Sequence, residues 1–223
     1  MCGRFTLSVE NRDELAAALG LPVEQVPDSW IARYNIAPMQ RHFVVRQNRE
    51  DRDLVVARWG LVNHWAKDSK RAGRQINARA ETVAERPAYR QAFKARRCVV
   101  PADGFYEWSG PKTARQPHWF HPHDGGLLLF AGLYESWQRE PDEQETTFTI
   151  ITTEANALME PIHDRMPVIL ADDAADEWLF EETGADRLHA LLRPALDDLL
   201  AVRDASPLVN SVKNEGPELL AAG

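Results

Sequence analysis

The second residue of the chain is a cysteine, in Met1-Cys2-Gly3-Arg4, and a side chain that small permits an aminopeptidase to remove Met1. The chain would then begin with an aminothiol, carrying an α-amine of ordinary pKa about 8 and a thiol of about 8.5 on one residue. An amine condenses with an aldehyde to an imine. A thiol two bonds away can then add to the imine carbon and close a five-membered ring, and such intramolecular attack is worth up to roughly 7–11 kcal/mol of barrier. The same two groups also suit an N-terminal-nucleophile hydrolase, a peptidase or amidohydrolase in which the thiol attacks an amide and the amine serves as base. A cysteine in a frayed terminus with no chemistry is equally compatible with these four residues.

Three further polar segments border apolar stretches. Ile76-Asn77-Ala78-Arg79-Ala80-Glu81-Thr82 sets the Asn77 amide and the Arg79 guanidinium at i, i+2, on one side if extended, although a loop entering a helix has a similar composition. In Pro101-Ala102-Asp103-Gly104-Phe105-Tyr106-Glu107-Trp108, Glu107 lies between two aromatics. An apolar setting raises a carboxyl's pKa and lets it donate a proton near neutrality, as dehydration of a carbinolamine requires; a surface carboxylate between half-exposed rings is the plainer alternative. His163, in Pro161-Ile162-His163-Asp164-Arg165-Met166-Pro167, titrates in the useful range, but its adjacency to Asp164 does not make a dyad. Beside the terminus, Gly3 allows close approach of a ligand and Arg4 supplies a fixed charge.

Aromatics punctuate the first half, and Trp65 stands out because His64, Lys67, Asp68, Ser69 and Lys70 around it form a polar loop. Aromatic faces interleaved with arginine suit unstacked bases, although most aromatics are core residues. His118, His121 and His123 cluster within a strand and turn but lack a zinc pattern, and no metal is expected. With no phosphate-cradling glycine loop and no Gly-x-Ser-x-Gly element, no cofactor is expected either.

These segments must be positioned by many short strands. Apolar or alternating runs predict strands at Arg4–Leu7, Phe43–Arg46, Leu54–Trp59, Cys98–Pro101, His118–His121, Leu127–Leu133, Thr147–Thr152, Val168–Leu170 and Leu208–Val212. Helical spacing predicts Arg12–Leu19, Ala88–Ala95, a brief Ala157–Met159, Ala174–Phe180 and Asp186–Leu200, the last broken near Pro194, with Asn11 and Asp172-Asp173 as N-caps. Helices and strands do not alternate regularly, which predicts an α+β fold with a mixed, mainly antiparallel β-rich core and peripheral helices. One domain over residues 1–223 is expected, with 2–217 as its ordered core and 218–223 frayed.

The 223 residues carry a net charge of −8, but the charges are segregated: residues 1–120 hold 20 Lys/Arg against 13 Asp/Glu, and residues 121–223 hold 6 against 21. A basic binding surface beside an acidic, solubilising one accounts for that asymmetry, and 21 Arg against 5 Lys suits bidentate phosphate contacts. The overall acidity would also fit a high-salt habitat. With no apolar run long enough to span a bilayer, no secretory pattern and only Cys2 and Cys98, the expectation is a cytoplasmic monomer, Cys98 being a buried filler.

Taken in order, Cys2-Gly3-Arg4-Phe5, Arg33-Tyr34-Asn35-Ile36-Ala37-Pro38, Arg58-Trp59-Gly60-Leu61, Ile76 to Thr82, Cys98 to Trp108 and His163-Asp164-Arg165-Met166-Pro167 resemble the SRAP family, the abasic-site processing proteins first described as SOS-response-associated peptidases. The resemblance implies a β-rich domain with a basic groove for single-stranded DNA. It implies that the Cys2 amine attacks the ring-opened aldehyde of an abasic deoxyribose and that the thiol closes a thiazolidine, giving a covalent DNA–protein crosslink that shields the lesion during the DNA damage response. By the same resemblance Asn77 positions the terminus and the sugar, Glu107 shuttles protons, and His163 assists proton transfer and reversal. Arg4, Arg79 and Arg165 hold phosphates, and Pro38 and Trp65 pack against displaced bases. Removal of the chain's own first residue, a peptidase label and a lyase activity come with the family, and Val209–Asn214 resembles its last strand beside the groove.

Overall fold

A computed structural model describes residues 2–48, 51–111, 113–140 and 142–221. Its strands are β1 (Phe5–Leu7), β2 (Arg33–Ile36), β3 (Arg41–Asn48), β4 (Asp51–Trp59), β5 (Asn77–Arg79), β6 (Arg97–Ala102), β7 (Gly104–Ser109), β8 (Gln116–Pro122), β9 (Leu128–Glu140), β10 (Glu143–Glu154), β11 (Arg165–Pro167), β12 (Ile169–Leu170) and β13 (Leu200–Asp204). Its helices are α1 (Arg12–Ala18), α2 (Arg90–Ala95), α3 (Asp172–Leu179) and α4 (Ala185–Leu191). The α+β class, dominated by antiparallel pairing, is as the sequence predicts.

Strands β4, β3, β6, β9 and β10 pair in succession, and the pairing of β10 with β4 closes them into a barrel, which leaves no free edge among these five. Gly132 on β9 sits where β6 and β10 crowd in: a Cβ there would meet Cys98 Sγ at 2.9 Å and Val100 Cγ2 at 3.0 Å, so only glycine allows the close approach. A second sheet, in the order β13-β8-β7-β1-β2, packs Phe5, Phe105 and Phe120 against the barrel. Phe5 meets Trp59 and Phe130 edge-on at 5.1 and 6.1 Å between centroids, which locks β1 to both layers.

β10 is the spine of the molecule. Along one edge it pairs with β9 and then β11; along the other it pairs with β4 and then, in parallel, with β5 at Ile150↔Asn77 and Thr152↔Arg79. One strand thereby brings the Asn77 segment and the Arg165 segment to its two flanks.

Several expectations are corrected. Leu208–Val212 is not a strand: Pro207–Asn210 forms a 3₁₀ turn capped by the Ser206 hydroxyl, because Pro207 starts it and the Val209 carbonyl turns away to Arg4. Val209–Asn214 is accordingly a run of turns beside β1 and β2. The helix expected over Asp186–Leu200 stops at Leu191, and Leu200 begins β13 against β8. Ala157–Met159 is a turn, closed by Met159 N–H donating to Asn156 O. Asn11 caps α1 as expected, but the cap of α3 is Ala171, with Asp172 and Asp173 in its first turn. Residues 218–221 do not fray: Pro217–Leu220 is a 3₁₀ turn with Leu219 fully buried, its carbonyl accepting from Ser206 N–H; 222 and 223 lie outside the described residues.

Candidate active site and nucleic-acid face

β1 positions the terminus. Phe5 pairs with Phe105, and Arg4 continues the ladder by accepting from Tyr106 N–H at 2.9 Å, so the segment Cys2-Gly3-Arg4 runs beside Tyr106-Glu107-Trp108. Cys2 is wholly buried in the apolar core, and its carbonyl accepts a 2.7 Å hydrogen bond from Asn77 Nδ2. The Asn77 carbonyl in turn accepts from Tyr89 Oη at 3.2 Å, which fixes β5 from behind. Asn77 Oδ1 is buried and has no hydrogen-bond partner among the described residues. A buried orphan acceptor costs about 1–3 kcal/mol. Removal of Met1 concerns a residue outside those described.

Burial, reinforced by the nearby negative charge of Glu107, pushes the Cys2 thiol well above the ordinary thiol range, while the Arg4 N–H pulls weakly the other way. The sulfur is held protonated at neutral pH. Glu107, on β7 and only 4% exposed, is raised by burial to about 7. A carboxyl at that value can exchange a proton near neutrality. Burial also lowers His163, which is kept neutral; its Nδ1 accepts from Arg165 N–H at 2.9 Å. Asp164 Oδ1 lies 3.0 Å from the same nitrogen and raises the imidazole's pKa, but less than burial lowers it. Arg115, which sequence reasoning did not single out, acts electrostatically on both Glu107 and His163.

The expected phosphate-binding arginines are held in different ways. Arg4 Nη1 donates to Asn35 Oδ1 and to Val209 O, and its guanidinium lies 5.8 Å from the centre of the Trp108 ring. Arg79 projects exposed from β5. Arg165 is clamped on both nitrogens by Glu81, with Nη2 3.0 Å from Oε2, and also donates to Thr152 O. The sequence signals neither the Glu81 clamp nor the anchoring of Arg4 by Asn35, because both join segments distant along the chain.

Pro38 stands at a tight turn between β2 and β3, followed by Met39 in the left-handed region at φ +71°, a strained conformation for a non-glycine residue. Met39 N–H donates to Trp59 O at 2.8 Å and holds that turn in place. Trp65 is 62% exposed on a loop pinned by Trp137 Nε1 donating to Ala66 O. The structure therefore gathers Cys2, Asn77 and Glu107 by direct contact or field, and His163 with Arg165 on the far flank of β10. Trp65 presents itself to solvent and Pro38 is half-buried. Among the described residues no group of three or more potential metal ligands is found, and no helix is long and apolar enough to cross a membrane.

A family model described as SOS response associated peptidase (SRAP) matches residues 1–212. The abasic site processing protein YoqW of Bacillus subtilis is 43% identical over 223 residues, spanning 99% of each chain. The abasic site processing protein HMCES of Rattus norvegicus is 30% identical over 270 residues, covering 99% of this chain and 76% of its own. Among solved structures, a Bacteroides thetaiotaomicron protein shares the fold over 100% of both chains, with a TM-score of 0.88 at 24% identity. A phage-related protein of Bordetella bronchiseptica gives a TM-score of 0.70 at 29% identity, covering 91% of this chain and 93% of its own.

Proposed function

The chain belongs to the SOS response associated peptidase family, and from that premise we propose that it processes abasic sites in single-stranded DNA by forming a covalent thiazolidine crosslink through Cys2. The observation that carries this reading is the burial of an aminothiol residue whose carbonyl is held by Asn77 beside a carboxyl raised to about 7. In the proposed sequence the Cys2 amine, freed by loss of Met1, adds to the aldehyde carbon of the ring-opened sugar. Glu107 gives its proton to the departing hydroxyl, water leaves, and an imine remains. The Cys2 sulfur then bonds to the imine carbon while its proton passes to the nitrogen, so one water is lost overall and no oxidant is needed. His163, kept neutral by burial, assists the transfers and the reverse reaction. Arg4 and Arg79 hold phosphates, Arg165 does so once Glu81 gives way, and Pro38 and Trp65 contact displaced bases. The DNA-bearing compartment is then the cytoplasm and nucleoid, with the chain acting as a monomer.

An amide hydrolase built on the same residue needs a thiolate, and depressed thiol pKa values are what make cysteines reactive in that role. Burial drives the Cys2 thiol the opposite way. Amine-first capture needs no thiolate and is favoured on that ground. An imine also acidifies the neighbouring sugar carbon, so strand cleavage of a lyase type becomes accessible when ring closure is blocked.

The test is intact mass spectrometry after incubation with an abasic oligonucleotide. The expected adduct equals the chain without Met1 plus the DNA minus one water, survives denaturation, and in Cys2→Ser appears only after borohydride reduction. Correctly processed protein that yields no adduct overturns the proposal.

A further inference from the structure

Next to Glu107 of the Cys2 site, three side chains from three adjacent strands line up as nucleophile, base and orienting acid. Ser109 Oγ on β7 donates to His118 Nε2 on β8 at 2.7 Å, and His118 Nδ1 donates to Asp204 Oδ1 on β13 at 2.9 Å. The sheet order explains the alignment. His118 is registered directly opposite Asp204 on one neighbour and opposite Glu107 on the other, and Ser109 lies two residues beyond Glu107 on the same face. His118 is thus held from both ring nitrogens in one tautomer, with its side chain 15% exposed. This is the arrangement by which a histidine takes a hydroxyl proton while an acid fixes the ring, and it is recognised by geometry rather than by position in the chain.

The surroundings suit acyl transfer. Gly110, directly after Ser109, is in the left-handed region at φ +83°, and among the described residues its N–H donates to no backbone carbonyl. The N–H that follows a nucleophile is one of the two oxyanion donors in many serine hydrolases. A cationic and aromatic pocket lined by Arg4, Trp108, Arg115, Gln116, Pro207 and Asn210 opens near the same strand ends, but Trp108 alternates to the opposite face of β7 from Ser109 and the triad does not line it.

The geometry points to a second reactive centre, in which Ser109 is the nucleophile, His118 the general base and Asp204 the orienting group, acting on activated esters. Ser109 Oγ bonds to the carbonyl carbon as its proton moves to His118 Nε2. The leaving alkoxide takes that proton, and water later releases the acyl group from Ser109. Asp204 is more than half exposed, so solvent weakens its pull and turnover is slow. The reaction proposed for this centre does not draw on Cys2, although His118 is registered opposite Glu107 of the crosslinking site.

The test uses full-length Cys2→Ala protein, which removes the competing thiol, treated with a fluorescent alkyl fluorophosphonate and mapped by peptide mass spectrometry. The expected result is one label per chain on Ser109, lost in His118→Phe, which keeps the ring's volume, and slowed about tenfold or more in Asp204→Asn. Ser109→Ala in the otherwise native chain should crosslink abasic DNA at the parent rate. No label on Ser109, or labelling as fast in His118→Phe as in its parent, overturns the inference. Mapping the parent needs no variant at Ser109 to fold.

Discussion

Arg97 and Arg165 are both withdrawn from solvent, and the protein uses them in opposite ways. Arg97, 4% exposed at the start of β6, donates to the carbonyls of Phe93, Lys94, Trp178, Phe180 and Glu181. It ties the ends of α2 and α3 to the barrel with every nitrogen used. Arg165 binds Glu81 and Thr152 O but leaves Nε buried without a partner among the described residues, as Arg4 does at its own Nε and Asn77 at Oδ1. Arg97 is satisfied at every nitrogen, whereas Arg4, Asn77 and Arg165 each keep one buried atom of spare capacity near the site, as Arg12, Arg46, Arg96 and Thr149 also do elsewhere. Arg97 thereby ties the rear at α3 to the barrel, while Arg4, Asn77 and Arg165 on the front each hold one polar atom without a partner among the described residues.

The sharpest way to break that contrast is Arg97→Ala. Five carbonyls lose their donor at once, and a loss of about 3–5 kcal/mol is expected, which is on the order of 10 °C in Tm for a chain of this size. A melt within 2–3 °C of the parent would show that the rear is not held as described. Next is Glu107→Gln. Folding raises Glu107 from 4.5 to about 7, so the folded state binds its proton more tightly, and that contribution is complete below pH 4.5 and lost as pH rises through 7. The variant should therefore match the parent near pH 4 and exceed it above pH 8 by up to about 3 kcal/mol, while crosslinking slows by about 10²-fold or more. Thermal melts and adduct time courses across that range decide it, and equal stability at pH 8.5 would place Glu107 in a wetter setting.

Asn77→Ala sharpens the comparison further. It removes an orphan acceptor together with the bond to Cys2 O, so stability should change by no more than about 1 kcal/mol while the crosslinking rate falls about tenfold. A large loss of stability with an unchanged rate would make Asn77 part of the scaffold. The smallest effect is expected from Glu81→Gln. An exposed ion pair is worth about 0–1 kcal/mol, and loosening it frees Arg165 for phosphate, so single-stranded DNA should bind about two- to fivefold tighter at low salt. The slope of log affinity against log salt should steepen by about 0.7, one more phosphate contact; an unchanged slope would keep Arg165 structural.

β3, β4, β9 and β10 are legible in the sequence because they carry long apolar or β-branched runs, and β10 is buried on both faces from Thr147 to Thr153. β2, β5, β11 and β13 are not, since runs of three to five residues take their conformation from a neighbouring strand rather than from their own pattern. Leu208–Val212 misleads because an apolar run after Pro207 suits a strand and a tight turn equally well. In the site, Cys2, Asn77 and Glu107 are legible from chemical type. The Glu81 clamp, the Asn35 anchor and the Ser109–His118–Asp204 row depend on strand register, which no local window contains.

The contact between Arg4 and the Val209 carbonyl spans 205 positions, and Asn35 reaches on to the carbonyls of Ser211 and Asn214. A ribosome delivers the front end of this polypeptide at about 5–20 residues per second, so roughly ten seconds or more separate emergence of Arg4 from that of its anchor. Prematurely terminated products ending before Val209 would retain every barrel strand yet lack the backbone acceptors that seat the first strand's arginine. Completion of translation is thereby built into assembly of the reactive end.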